Sequence, residues 1–237
     1  MIDRLANRRA KMNKLFANNL KWDVTLSGRD SITFSLEGSG ILIIAGPVAS
    51  GKTRLLKCFV GENPDACGSV LLNGVELLDH TPYEIARRRV AFVPQGRGLF
   101  RDLTAGENLR LAWELSRRFR WLSWTAALAG IDQDAPQVMP WLNRRAAALS
   151  GGQQRVMAIV MAWITDPLLL VLDEPLTGLD SYHREWLCRL IDMQQKRGGM
   201  AIIAVQDKSD ITTTVDIYVQ LKLGGLQKVE LARTADF

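Results

Sequence analysis

The segment Gly46-Pro47-Val48-Ala49-Ser50-Gly51-Lys52-Thr53 reads G-x-x-x-x-G-K-T, and its residue types suit a polyphosphate. Successive backbone N–H groups have to curl around the anion, which bulky side chains would obstruct. The Lys52 ammonium adds a point charge toward the β- and γ-phosphates, and the Thr53 hydroxyl can ligate Mg²⁺. A helix predicted from Thr53 to Val60 turns its N-terminal dipole end on the same anion. Further along, Asp173 closes the apolar run Leu168 to Leu172, where an unpaired carboxylate is costly, so it reads either as a cap after the strand or as a group facing Mg²⁺. Glu174 follows, placed to accept a proton from an attacking water. Gln95 offers a carbonyl oxygen to Mg²⁺. Ser150-Gly151-Gly152-Gln153 offers a hydroxyl and Gly-permitted N–H groups at a predicted helix start, suited to a γ-phosphate. Phosphoryl transfer needs this kind of positioning and charge neutralisation more than covalent chemistry.

Alone, the loop at Gly46 says only that a nucleotide binds. The order of the further motifs says more: Phe92-Val93-Pro94-Gln95, then Leu149-Ser150-Gly151-Gly152-Gln153-Gln154-Arg155, then Leu168 to Pro175, then Gly178-Leu179-Asp180. In this order they resemble the Walker A, Q-loop, LSGGQ signature, Walker B and D-loop of the ATP-binding cassette family, the nucleotide-binding subunits of ABC transporters. The match runs from about Leu20 to Leu223. The resemblance implies ATP and Mg²⁺ as cofactors, a second cassette subunit as partner, and a separate membrane-spanning transporter subunit. It implies that Ser150, Gly151, Gly152 and Gln153 close over ATP held by the other subunit, and that Asp180 crosses the same seam. Gln95 would couple nucleotide state to the membrane partner, and Trp22 falls near the position of an aromatic that stacks on adenine. A half-buried strand tryptophan is the competing reading of Trp22. The implied location is the inner face of the cell membrane, held there through the transmembrane partner.

Two positions depart from the family pattern. Ala49 occupies a loop site that is often Gly, so its backbone has to accommodate a Cβ. Gln206, after the strand Ala201 to Val205, stands where the family places a His that contacts the γ-phosphate. A glutamine amide can donate a hydrogen bond but cannot become cationic. Slow turnover at this chain's own site follows, with two arrangements open: a heterodimer whose mate carries the His, or a homodimer of modest activity.

The 237 residues carry a net charge of +5, and 47% of them are hydrophobic, ample for a buried core. No apolar run approaches the ~18 residues that span a bilayer. The three cysteines have no metal-ligand spacing, so they read as reduced thiols. Residues 1–19 are a basic segment, with Arg4, Arg8, Arg9, Lys11 and Lys14 against Asp3. It reads either as a short amphipathic helix touching anionic lipid or as a solvated terminus. No aromatic-interleaved basic patch supports nucleic-acid binding.

Residues 20–237 are predicted to form the nucleotide-binding domain. Its class is α/β: a P-loop core with a mostly parallel sheet, an antiparallel β subdomain and a helical subdomain over about 103–149. Strands are expected at Trp22 to Leu26 and Ser31 to Leu36, joined by Ser27-Gly28-Arg29-Asp30, and at Ile41 to Ala45 and Val90 to Val93. Val70 to Val75 reads as a hairpin with an Asn-Gly turn, and Pro82 to Arg89 as a short helix. Ser181 is the expected cap of a helix reaching Arg197, and a hairpin closes the chain from Ile217 to Leu231. Trp113, Trp121, Trp124 and Trp141 fall in the helical lobe and are expected to pack its core. Two functions compete with transport. A ribosome-associated or DNA-repair cassette is disfavoured by the single cassette and by the lack of heptads or Cys pairs between Lys52 and Ser150. An ATP-gated clamp stays open because of Gln206. Phe92 to Phe100 is similar to cassettes of amino-acid importers, over a stretch too short to name a cargo.

Overall fold

Ile41–Ala45 (β3) is buried at every position, as a strand covered on both faces must be. In the computed structural model, which describes residues 13–23, 31–96, 98–116, 123–207, 210–211, 213–223 and 225–231, this strand lies inside a six-stranded sheet. From one edge the order is Gly225–Leu231 (β10), Ile217–Lys222 (β9), β3, Met200–Val205 (β8), Leu169–Asp173 (β7) and Val90–Val93 (β6). All neighbours pair parallel except β10 on β9, so the C-terminal ends of β3, β8, β7 and β6 lie along one edge. That edge is where ligands sit in open parallel sheets.

The two faces of β3 bury different sets of residues. Ile41, Ile43 and Ala45 join one core with Gly151–Trp163 (α5) and Ser181–Lys196 (α6). Leu42 and Ile44 join the other, with Lys52–Cys58 (α1) and a four-stranded antiparallel sheet. The latter runs Ile32–Glu37 (β2), Lys14–Lys21 (β1), Cys67–Leu72 (β4), Val75–Glu76 (β5). The Asn73-Gly74 turn between β4 and β5 has φ of 51° and 81°, the left-handed pair that a two-residue hairpin needs. Pro82–Arg87 (α2) starts on the capping box of Thr81 and Glu84. The helical lobe holds Ala105–Leu115 (α3) and Trp124–Asp134 (α4), followed by 3₁₀ turns at Pro136–Trp141 and Ala146–Ala148.

Three expectations need correction. The first strand is Lys14–Lys21 and not Trp22 to Leu26, of which 24–26 lie outside the described residues. Leu15, Ala17 and Leu20 are its buried face, so this part of the basic segment is sheet and no amphipathic helix; residues 1–12 lie outside the described residues. A bulge at Asn19 (φ 48°) changes the buried spacing from two to three, which hides the strand alternation. Finally, Asp180 rather than Ser181 caps α6, its carboxylate accepting from the His183 N–H at 2.9 Å. In the lobe, the rings of Trp113 and Trp124 pack at 5.7 Å, and Trp141 lies 6.1 Å from the His183 ring; Trp121 is outside the described residues.

Candidate active site

Four parallel strands end at one place. β3 runs into the loop Gly46–Gly51, β7 delivers Asp173 and Glu174, β8 delivers Gln206, and β6 delivers Gln95 through Pro94. The loop is tight: a Cβ on Gly46 would lie 2.7 Å from Ser50 Oγ and 2.8 Å from the Leu221 carbonyl. Gly51 has φ 94° and opens α1 as its N-cap. Ala49 takes φ 65°, so the left-handed turn expected to suit glycine is made by an alanine. Val48 at the tip is exposed, Pro47 gives its carbonyl to Lys52, and Ser50 Oγ is buried without a partner. Together with Gln95, Glu174 and residues 62–65, the loop bounds a cleft of about 510 Å³.

Lys52 is 4% exposed. Its ammonium donates to the Gly46 and Pro47 carbonyls at 2.8 and 2.9 Å and lies 3.1 Å from Glu174 Oε1. Glu174 Oε2 accepts from Gln95 Nε2 at 3.1 Å, Gln206 Nε2 at 3.2 Å and Thr177 Oγ1 at 3.5 Å. Burial pushes the Glu174 carboxyl up, but the hydrogen bonds from Gln206 and Lys52 and the Lys52 charge outweigh it and hold it below the usual range. Asp173 goes the other way. Burial raises it most, Glu174 adds to the rise, and the Thr53 hydroxyl, donating to Oδ2 at 2.7 Å, only partly opposes them.

Asp173 Oδ1 is buried and has no hydrogen-bond partner. An orphaned carboxylate oxygen beside a threonine hydroxyl is a donor set for a small hard cation such as Mg²⁺, which takes few protein ligands and fills its shell with water and phosphate oxygens. Among the described residues no group of three or more His, Cys, Asp or Glu is placed to hold a metal ion. Gln95, also expected as a metal ligand, points its amide nitrogen at Glu174.

Ser150 stands away from this cluster as N-cap of α5. Its hydroxyl accepts from the Gln153 N–H at 3.2 Å, and Gln153 Oε1 accepts from the Ser150 N–H at 3.0 Å. The two glycines between them differ. A Cβ on Gly151 would meet nothing within 4 Å, whereas one on Gly152 would lie 2.8 Å from the Gly178 carbonyl. Gly152 is therefore required by packing within this chain, and Gly151 leaves open space outside it. Asp180 is also turned outward, its side chain 65% exposed, with His183 Nδ1 at 2.7 Å.

Trp22 does not present a face to a base. It is 1% exposed in the core beneath the antiparallel sheet, with Nε1 3.0 Å from where a Gly51 Cβ would stand. Its structural role is to back the loop, buried more deeply than the half-buried strand tryptophan of the competing reading and one residue past the end of β1. Two polar residues without an assigned role in the sequence reading join the site: Thr177, and Arg155 on α5, whose guanidinium donates to the Pro94 and Asp173 carbonyls. A lone basic residue inside the mostly apolar run after Gln153 was the available signal for the second.

A family model described as ABC transporter matches residues 29–177. The xylose import ATP-binding protein XylG of Burkholderia cenocepacia (strain HI2424) is 31% identical over 218 residues, which is 86% of this chain and 42% of that protein. The phosphonates import ATP-binding protein PhnC 2 of Synechococcus sp. (strain JA-2-3B'a(2-13)) is 32% identical over 195 residues, 78% of this chain and 71% of that one. The chain thus spans less than half the length of its xylose relative and most of its phosphonate relative. Among solved structures it is similar to the dimeric structure of MJ0796, a bacterial ABC transporter cassette, with TM-score 0.77 and 23% identity over 94% of this chain and 100% of that one. Among the described residues no helix is long and apolar enough to cross a membrane.

Proposed function

This chain belongs to the ABC transporter family, and from that premise we propose that it binds Mg²⁺ and ATP in the Lys52 cleft and hydrolyses ATP to drive a separate membrane-spanning partner. The observation that carries this reading is the meeting on Glu174 of Lys52, Gln95 and Gln206, delivered by three different strand ends. A triphosphate would take over the Lys52 N–H groups now given to loop carbonyls. Thr53 and Asp173 would hold Mg²⁺, which supplies charge neutralisation on the phosphate oxygens. Glu174, kept ionised by its neighbours, would accept the proton of the attacking water.

The outward Ser150–Gln153 turn and Asp180 would face the ATP of a second cassette, homologous or identical. The open space at Gly151 supports that orientation. The relatives named for xylose and phosphonates import support import as the direction, and the difference between them leaves the cargo to the membrane subunit.

Gln206 supplies a neutral donor where a cationic one would stabilise the transition state better. By analogy with the loss of a single preorganised donor, the deficit is about 2.7–4 kcal/mol. Titrating the purified chain with a fluorescent ATP analogue and Mg²⁺ tests the reading, with Lys52→Ala as control. Absence of saturable, Lys52-dependent binding overturns it. Comparing turnover with Gln206→His then tests the slow-site element, which falls if the histidine gives no gain.

A further inference from the structure

The outward turn and the strand-end cluster are joined by one side chain. Arg155 lies on α5, in the turn after the Ser150–Gln153 capping box, and is 7% exposed. One terminal nitrogen of its guanidinium donates to the carbonyl of Pro94 and the other to the carbonyl of Asp173. These are the residues immediately before Gln95 and Glu174, whose side chains meet at 3.1 Å. A single rigid plane thus bridges two backbone segments, the end of β7 and the residue after β6, just ahead of the two side chains that must meet. The planar fork of arginine can do this, and the point charge of lysine cannot. The position is costly to occupy. A guanidinium loses its hydration there, Nε is left without a partner, and the Asp173 and Glu174 carboxylates only partly offset this.

We propose that Arg155 is a positioning residue for hydrolysis: it sets Gln95 and Glu174 in register with each other and ties both to the helix that carries the Ser150–Gln153 turn. Through it, a contact made on that turn changes the geometry at this chain's own Glu174. The inference rests on the function proposed above.

The test is Arg155→Lys in the full chain, with ATP affinity and turnover measured separately. Positioning predicts that kcat falls by about tenfold or more, since small misplacement of reacting groups costs up to ~100-fold. Affinity for the fluorescent nucleotide should hold within about threefold. Turnover equal to wild type overturns the proposal and leaves the ATPase reading standing. So does a parallel loss of affinity and turnover, which would make Arg155 a general structural cation. A wild type that binds no ATP overturns the ATPase reading and this inference with it. Should the lysine variant not fold, or wild-type turnover be too slow to follow, ¹⁵N-arginine spectra of the wild type decide. The Arg155 Nη–H signals are expected to show hindered rotation and to shift on adding Mg²⁺ with a non-hydrolysable ATP analogue. Freely rotating or unshifted signals overturn the proposal.

Discussion

The C-terminal edge of the parallel sheet and the antiparallel sheet beside it place the same kinds of residue under opposite conditions. In the antiparallel sheet the left-handed backbone positions fall on Gly38, Gly68, Gly74, Asn19 and Asn73, types that adopt that conformation at little cost. Along the parallel edge they include Ala49 and Glu174. The carboxylates differ as well. Glu76 accepts from the Ser69 hydroxyl at 2.6 Å and from the Val70 and Leu78 N–H groups at 2.8 and 3.2 Å. Asp173 keeps one oxygen buried and unpartnered. One region is built to be satisfied, and the other holds strain and unmet polar demand where a ligand would relieve them.

The largest test of this contrast is a pair of carboxylate-to-amide changes. Glu174→Gln is expected to lower turnover by roughly 10²–10⁴-fold, the usual contribution of a general base, while nucleotide binding persists. Glu76→Gln should leave turnover unchanged and lower the unfolding free energy by about 1 kcal/mol, allowing for its partial exposure to solvent. Steady-state kinetics and urea unfolding on both proteins separate the two outcomes, and a crossed result breaks the distinction between the regions.

Backbone strain gives a smaller and opposite-signed pair. Gly74→Ala puts a Cβ at φ 81° with no atom within 4 Å, so its cost is conformational alone, about 1 kcal/mol. Ala49→Gly relieves φ 65° and should gain about 0.5–1 kcal/mol, the relief being partly offset by the greater freedom of glycine in the unfolded chain. Thermal unfolding would register the two shifts in opposite directions.

The smallest effect is a pH dependence. Burial pushes the Glu76 carboxyl up, but the hydrogen bonds from the Ser69 hydroxyl and from the Val70, Leu78 and Leu77 N–H groups together outweigh that and leave it below the ordinary value of 4.5. Its stabilisation is therefore complete above about that pH and is lost as pH falls through the lowered folded value. Wild type minus Glu76→Gln stability should shrink on acidification below 4.5 and stay flat above it. A difference that grows on acidification would mean the carboxyl is not held by these donors.

Much of this site was legible because its parts are contiguous in sequence. The phosphate loop, the acid pair after an apolar strand and the capped helix start are local patterns with local physical reasons. What was hidden depends on distance. Strand β1 was masked by lysines at its ends and by the Asn19 bulge, which breaks the period of two. Trp22 could be read as half-buried at most, because its full burial comes from the core it shares with α1 and the antiparallel sheet. The role of Arg155 exists only because the strand order places β6 beside β7, bringing the Pro94 and Asp173 carbonyls within reach of one guanidinium. Asp180 outcompeted Ser181 as a cap because its carboxylate reaches the His183 N–H.

The contact of Gly152 with the Gly178 carbonyl has a mechanical consequence. With no side chain between them, the bend bearing Ser150 and the bend leading to Asp180 abut like two teeth without backlash. Any side chain at position 152 would wedge them apart, so their present spacing lasts only while that position stays bare.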